Sequence, residues 1–377
     1  MDPIDLSEIA DTVYKGPFHA RQVAIGGSFY EDLGNLWTRS FGDPVGEYWA
    51  VKRGTGLWDV SALAKWRFTG PDALAALDRL FTRDLCGVSA GTIRYGAVLD
   101  ECGRMLDEGT AFVLSGEQAY YMGNEEREAF VEHIRERTAD LRVRAENVTR
   151  EIPNIAVQGP GSPALLSHLT RVDLGALGYF KFFPEPVELA GALGFLSRTG
   201  FTGEVGYEFF LLEGDAERVW DATLEAGARP LGLDAVEMMR IEQGLVISEE
   251  DYLPGKGDPF DLSLDAFIDL GGEFIGKAVA AATAAAPPHR FKTLAIAGDE
   301  IPEHGATVVK DGGFVGEVTS ADRSPRFGVL ALAVLRAEVA QDGEVLEVGG
   351  RPAAVGRLPF DAEGRARSDP RHPLRIA

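Results

Sequence analysis

"RYGAVLDECGRMLDEGTAFVL", residues 94–114, decides the fold class. Two extended runs meet near Asp100–Gly103 with no helix between them, so the strands must return antiparallel. Parallel neighbours need a crossover far longer than this turn. Within Arg104–Val113, side-chain alternation places Leu106, Glu108, Thr110 and Phe112 on one face. Met105, Asp107, Gly109, Ala111 and Val113 fall on the other. Asp107 and Glu108 are therefore predicted to point to opposite sides, with only one of them facing any given cleft. Glu108 sits among apolar neighbours, which raises a carboxyl pKa and suits a proton donor or a partner for a developing cation. A carboxylate lying at a sheet edge or on the surface is the plainer alternative, and the residues alone leave both open.

A second hairpin follows in "SRTGFTGEVGYEFFLL", residues 197–212. One face of Tyr207–Leu212 carries Glu208, Phe210 and Leu212, and the other carries Tyr207, Phe209 and Leu211. The strand reads as buried on both sides, and a buried carboxylate without donors costs several kcal/mol, roughly what unpaired polar burial costs elsewhere. Glu208 must then be matched by N–H or O–H groups of the protein or of a ligand. Outward from the two hairpins, "LAKWRFTGPDALAALDRLFTRDL" predicts a strand, a Gly-Pro break and a helix whose Leu74, Leu77, Leu80 and Phe81 form one apolar stripe. "EYWAVKR" predicts a helix ended by glycine, "QAYYMG" a strand, "NEEREAFVEHIRERT" a helix, and "IPNIAVQG" a strand. Strands and helices mixed without regular alternation indicate an α+β fold. "ATAAAPPHR", residues 282–290, is the clearest boundary, and the glycine-punctuated short strands beyond it predict a small β-barrel. The expected division is 1–285 and 286–377, the first part holding two interleaved α+β subdomains.

Bulk properties narrow the function. The chain has 377 residues with a formal charge of −22 and no basic run, which argues against nucleic acid as a partner. No apolar stretch of membrane-spanning length is present, and the amino-terminal "MDPIDLSEIADTVYKG" lacks the apolar core of a signal peptide. Two cysteines, Cys86 and Cys102, form neither a disulfide framework nor a zinc motif, so a cytoplasmic setting is expected. His19, His133, His168, His289, His304 and His372 are scattered, so no metal site is expected. No phosphate loop, dinucleotide fingerprint or nucleophile elbow appears.

Taken in order, "EYWAVKRGTGLWDVS", "GPDALAALDRLFTRDL", "DECGRMLDE", "AVQGPGSPALL", "SRTGFTGEVGYEFF", "MMRIEQGL", "EFIGKA" and "VGEVTSADRSPRFGVLALAVL" ending in "LPF" resemble the glycine cleavage T-protein family. These are folate-dependent aminomethyl- and methyltransferases, and the resemblance runs from about Pro17 to Phe360. It implies three domains around a central channel with tetrahydrofolate as cofactor. It also implies that Glu208 holds the pterin through paired hydrogen bonds. Phe201 stands where the family usually has tyrosine, and Tyr95 matches a tyrosine lining the channel. Tyr121 and Asn124 lie at the strand end that the family writes "NAAN". Arg240 and Lys65 are the candidates for positive charge facing the anionic folate tail.

Departures from the family pattern point away from aminomethyl transfer. Where the glycine-cleavage enzymes carry two aspartates this chain has Asp107 and Glu108. Their arginine in "GLGARD" falls at Val236, and "DVSHMG" is replaced by "DVSALA". The expectation is a methyltransferase or demethylase that moves a methyl group from O, N or S of a small methylated substrate to N5 of tetrahydrofolate. Glu108 is its first candidate acid, with Tyr95 and Asp107 beside it. The alternatives are an aminomethyltransferase served by a lipoyl-carrier protein, and a non-enzymatic folate-binding protein.

Overall fold

The structure is a computed structural model that describes residues 13–361, so the acidic amino-terminal stretch up to Thr12 and His372 lie outside the described residues. The chain divides into two compact units that interleave along the sequence. One takes the described residues up to Leu63 and returns for Val148–Met239, and the other takes Ala64–Asn147 and the described residues from Arg240 onward.

The first unit is built on a six-stranded sheet. Its strands lie in the order Val187–Leu189, Ala192–Ser197, Gly206–Glu213, Asn154–Gln158, Gly56–Asp59 and Arg229–Pro230. All neighbours are antiparallel except the last pair. Alternation along the central strands feeds two cores, one on each face. Leu57, Ile155, Val157 and Phe209 pack with Trp220 of the helix Ala216–Glu225. Trp58 and Ala156 pack with Tyr48 and Val51 of the helix Pro44–Arg53. That helix starts where the sequence dictates: the Asp43 carboxylate accepts from the Gly46 N–H at 2.9 Å and Pro44 takes the first turn.

In the second unit a five-stranded antiparallel sheet runs in the order Thr92–Leu99, Met105–Ser115, Gln118–Gly123, Ala64–Thr69 and Arg144–Asn147. The helices Ala73–Leu80 and Glu128–Arg137 cover it through Leu77, Leu80, Phe130 and Ile134. The same unit holds a closed barrel of six strands between His289 and Gly356. Ala97, Leu99 and Met105 of the first hairpin share a core with Tyr252, Phe260 and the barrel residues Phe291, Leu330 and Leu332. The fold is thus α+β with a carboxy-terminal barrel, as expected. A domain cut at 285/286 is kept as a proposal, supported by the first barrel strand starting at His289. Among the described residues no helix is long and apolar enough to cross a membrane.

Candidate active site

The Met105–Ser115 strand brings Asp107 and Glu108 into one polar cluster of the second unit. Glu108 pairs with Ala97 and Asp107 with Val98 of the neighbouring strand. On the other side Thr110 pairs with Met122, so two residues further on Asn124 arrives opposite Glu108. The Asn124 amide nitrogen donates to Asp107 Oδ1 and to Glu108 Oε1, both at 3.0 Å, and to the Glu108 carbonyl at 3.1 Å. The predicted separation of the two acids onto opposite faces is therefore corrected. The Asp107 carboxylate folds back along its own strand to accept the N–H of Glu108 at 2.9 Å, which carries it within reach of the same asparagine. It also accepts the N–H groups of Asn124 and Glu125 at 3.0 and 3.1 Å. Glycine is required at 123, because a Cβ there would meet the Asp107 carboxylate and stand 2.8 Å from the Tyr121 hydroxyl.

Both acids are buried, Asp107 fully and Glu108 at 7% exposure. Burial pushes the Glu108 carboxyl up to about 8, the charge of Asp107 adds to the shift, and hydrogen bonds from Tyr95 and Asn124 oppose it. Burial likewise raises Asp107 to about 6 against the hydrogen bonds from Asn124 and Glu125. Tyr95, half-buried, packs edge-on against Phe267 with centroids 4.8 Å apart. Its hydroxyl is held far above the usual range, first by burial and then by Glu108. The Tyr121 ring belongs to the core between Phe81 and Phe130, so only its hydroxyl reaches the Asp107 side.

Two expectations for the folate tail are corrected. Arg240 is fully buried, with its guanidinium on Asp251 at 2.5 Å, Ser320 Oγ at 2.5 Å and the Leu245 carbonyl at 3.2 Å. Asp251 in turn accepts from Thr319 at 2.5 Å, Ser320 at 2.8 Å and the Ile247 N–H at 3.0 Å. The charge of Arg240 is spent inside this network. Lys65 is also fully buried, on the strand Ala64–Thr69 opposite Met122. Asp251, a member of the site region that sequence reasoning missed, has partners up to 69 residues away.

In the first unit the glycine-rich segment 198–205 joins two strands and wraps around Gln158. The Gln158 amide donates to the Thr199 carbonyl at 3.1 Å and its oxygen accepts from Thr202 at 2.9 Å. A side chain on Gly200 or Gly206 would occupy the place of that amide, which explains both glycines. Glu204 is buried and ion-paired with Lys52 at 3.4 Å. Glu208 is half-buried, less than predicted, and the Thr199 hydroxyl donates to its carboxylate. Ser197 Oγ lies 2.6 Å from that hydroxyl. The protein thus supplies at least one donor to Glu208. Phe201 is half-buried against the Tyr48 and Trp58 core. Elsewhere, Asp78, Asp84 and Cys86 bring potential metal-ligand atoms within 4.8 Å, but the two carboxylates accept the N–H groups of Leu85 and Cys86 and shape a turn.

Residues 18–272 match the family described as GCVT N-terminal domain, and residues 289–361 match the glycine cleavage T-protein C-terminal barrel domain. The chain belongs to the glycine cleavage T-protein family. Among its T-protein relatives, the aminomethyltransferase of Saccharopolyspora erythraea is 33% identical over 91% of this chain and 97% of its own length. A Ruegeria pomeroyi protein named trimethylamine-oxide aldolase is 34% identical over 94% of this chain but 47% of its own length. The crystal structure of the glycine cleavage system aminomethyltransferase T from Bartonella henselae superposes with a TM-score of 0.83. It is 22% identical and covers 91% of this chain and 97% of that one, which establishes the T-protein fold. The chain is accordingly an enzyme of a one-carbon transferase family.

Proposed function

We propose that this T-protein relative is a tetrahydrofolate-dependent methyltransferase, a demethylase that takes a methyl group from O, N or S of a small substrate. The observation that carries the reading is Glu108, a buried carboxyl raised to about 8 and hydrogen-bonded to Tyr95 and Asn124. Such a group gives or takes a proton near neutrality, where proton transfer is most effective. Bound tetrahydrofolate supplies the nucleophilic nitrogen that accepts the carbon. The chemistry of the residues fits that group. Glu208 is a partly exposed carboxylate that can accept the paired N–H groups of a pterin, and Phe201 offers an aromatic face. Glu108, with Tyr95 bonded to it, handles the proton that leaves the accepting nitrogen or is needed by a departing oxygen or nitrogen. Asp107 and Asn124 fix the Glu108 carboxyl in place, and holding reactants in line contributes roughly 7–11 kcal/mol in favourable cases.

Aminomethyl transfer is the second reading, favoured by the names of several relatives and opposed by Val236 and by Ala62 of "DVSALA". The name trimethylamine-oxide aldolase adds methylated nitrogen compounds to the donors worth testing. Incubation with tetrahydrofolate and a panel of methylated amines, sulfonium compounds and methoxy acids separates the readings by product. Methyltetrahydrofolate supports the proposal. Methylenetetrahydrofolate and ammonia, formed only with an aminomethyl-loaded carrier, support the alternative. Folate binding with no turnover of any donor leaves a binding protein.

A further inference from the structure

The second hairpin hides a run of polar side chains. Gln158, Ser197 and Thr202 are fully buried and Thr199 is 5% exposed, while Glu208 at the end of the run is the one that reaches the surface. Polar side chains are costly to bury unless they are bonded, and an apolar turn would avoid that cost. What this run does for Glu208 is the question it raises.

Strand register sets the run up. Glu208 pairs with Ser197 across the hairpin, and Ser197 Oγ stands 2.6 Å from the Thr199 hydroxyl oxygen. The Thr199 hydroxyl donates to the Glu208 carboxylate, nine residues on, instead of turning back onto its own backbone as threonines in turns commonly do. An ionised carboxylate only accepts, so the Thr199 proton is committed to it and the Thr199 oxygen is left to accept from Ser197. The protons are thus ordered in one direction, from Ser197 to Thr199 to Glu208, and bonds chained in this way strengthen one another. The Thr199 carbonyl meanwhile accepts from the Gln158 amide nitrogen at 3.1 Å, and the amide oxygen accepts from Thr202 at 2.9 Å. Gln158 so holds both residues that flank Gly200 and Phe201. Thr199 belongs to both arrangements, through its hydroxyl to Glu208 and through its carbonyl to the Phe201 turn.

We propose that Thr199 is a positioning residue for the cofactor: it fixes the Glu208 carboxylate and the Phe201 turn relative to each other, so that the N–H edge and the face of a reduced pterin are met at once. This deepens the function proposed above and rests on its reading that Glu208 meets the pterin. A free glutamate side chain loses the freedom of several torsions when a ligand arrives. A carboxylate already held by Thr199 has lost that freedom beforehand, so the loss no longer weakens binding. A carboxylate offers about four acceptor sites, and one hydroxyl leaves room for a paired N–H donor. Because Glu208 holds the ring rather than the carbon being moved, removing the Thr199 hydroxyl lowers affinity and leaves kcat unchanged.

Equilibrium binding of tetrahydrofolate to the full-length protein tests this, in wild type, Thr199→Val, Thr199→Ser, Glu208→Ala and the double variant Thr199→Val with Glu208→Ala. Thr199→Val keeps the branched shape and drops the hydroxyl, and affinity is expected to fall about tenfold, roughly the worth of one hydrogen bond to a charged group. Thr199→Ser restores the hydroxyl and should return to within about threefold of wild type. A merely structural threonine would weaken binding in any background, whereas one that acts through Glu208 should cost nothing further once Glu208 is alanine. Where a methyl donor turns over, Thr199→Val should raise KM and not lower kcat. Ser197→Ala, at the far end of the chain of hydroxyls, should weaken binding several-fold, and it replaces Thr199→Val if urea unfolding shows that variant unfolded. Wild-type affinity in whichever of the two is folded, no rescue by serine, or losses that multiply in the double variant each overturn the proposal. Unchanged affinity in Glu208→Ala overturns the proposed folate contact and this inference with it. A clear loss in Glu208→Ala beside none in Thr199→Val overturns this inference alone.

Discussion

Glu108 is stabilised in its neutral form by burial, and this has a thermodynamic consequence that activity assays do not touch. Its folded pKa of about 8 lies above its ordinary value of 4.5. The unfolded chain therefore releases the Glu108 proton first as pH rises. The contribution to stability is full below about 4.5 and is lost as pH climbs to about 8, where the folded protein must bury the charge. Glu108→Gln keeps the shape and the bond from Asn124 without that liability. Urea unfolding should find the variant more stable than wild type at pH 9, by on the order of a few kcal/mol, with the gap closing toward pH 5. A gap independent of pH would show that Glu108 is not buried as described. The same variant should lower turnover about 100-fold or more, the usual cost of a missing proton carrier, with folate affinity little changed. Glu208→Ala should behave in the opposite way: its charge-assisted bond to a pterin is worth ~1.5–3 kcal/mol, so folate affinity should fall roughly tenfold or more. Equilibrium binding of tetrahydrofolate to the two variants separates these roles.

At the scale of elements, the 198–205 segment shows how much the sequence disclosed. Its strand partners were legible, because period-two alternation and glycine punctuation need no knowledge of distant residues. The "QAYYMG" run, for example, is the strand Gln118–Gly123. The reason for the glycines was not legible. It lies in Gln158, whose amide fills the space beside Gly200 and Gly206 from another strand. Gly206→Ala should therefore destabilise the protein by about 1–3 kcal/mol through overpacking. In a Gln158→Ala background the same change should cost much less, since the space is then free. A double-mutant cycle by chemical denaturation measures the difference, and additive effects would exclude the steric account. The same limit hid the Asn124 bridge. Alternation sorts Cβ directions, but a short carboxylate that bonds the next N–H on its own strand escapes that sorting. The Arg240–Asp251–Ser320 and Lys52–Glu204 contacts escaped for a different reason: chain separation carries no pattern in a single sequence.

At the scale of the whole chain, charge is the dominant quantity that neither hairpin reveals. Fifty-nine acidic residues against 37 basic ones leave a net −22, so the folded protein concentrates like charge that the unfolded chain spreads out. Exposed ion pairs such as Arg142 with Asp72 and Lys292 with Asp342 offset little of this, because a surface pair contributes roughly 0–1 kcal/mol. Salt acts on both terms but unequally. The screening length falls from about 30 Å at 0.01 M to about 3 Å at 1 M, which removes long-range repulsion among many charges while costing a few short contacts. The melting temperature should accordingly rise by several degrees between roughly 0.02 and 0.5 M sodium chloride, and potassium chloride should match it. A parallel series in sucrose, which favours burial without screening, should show no such steep rise at low concentration. A melting temperature that falls with salt would mean that the paired charges outweigh the excess, and that the acidic surface is more locally compensated than its net charge indicates.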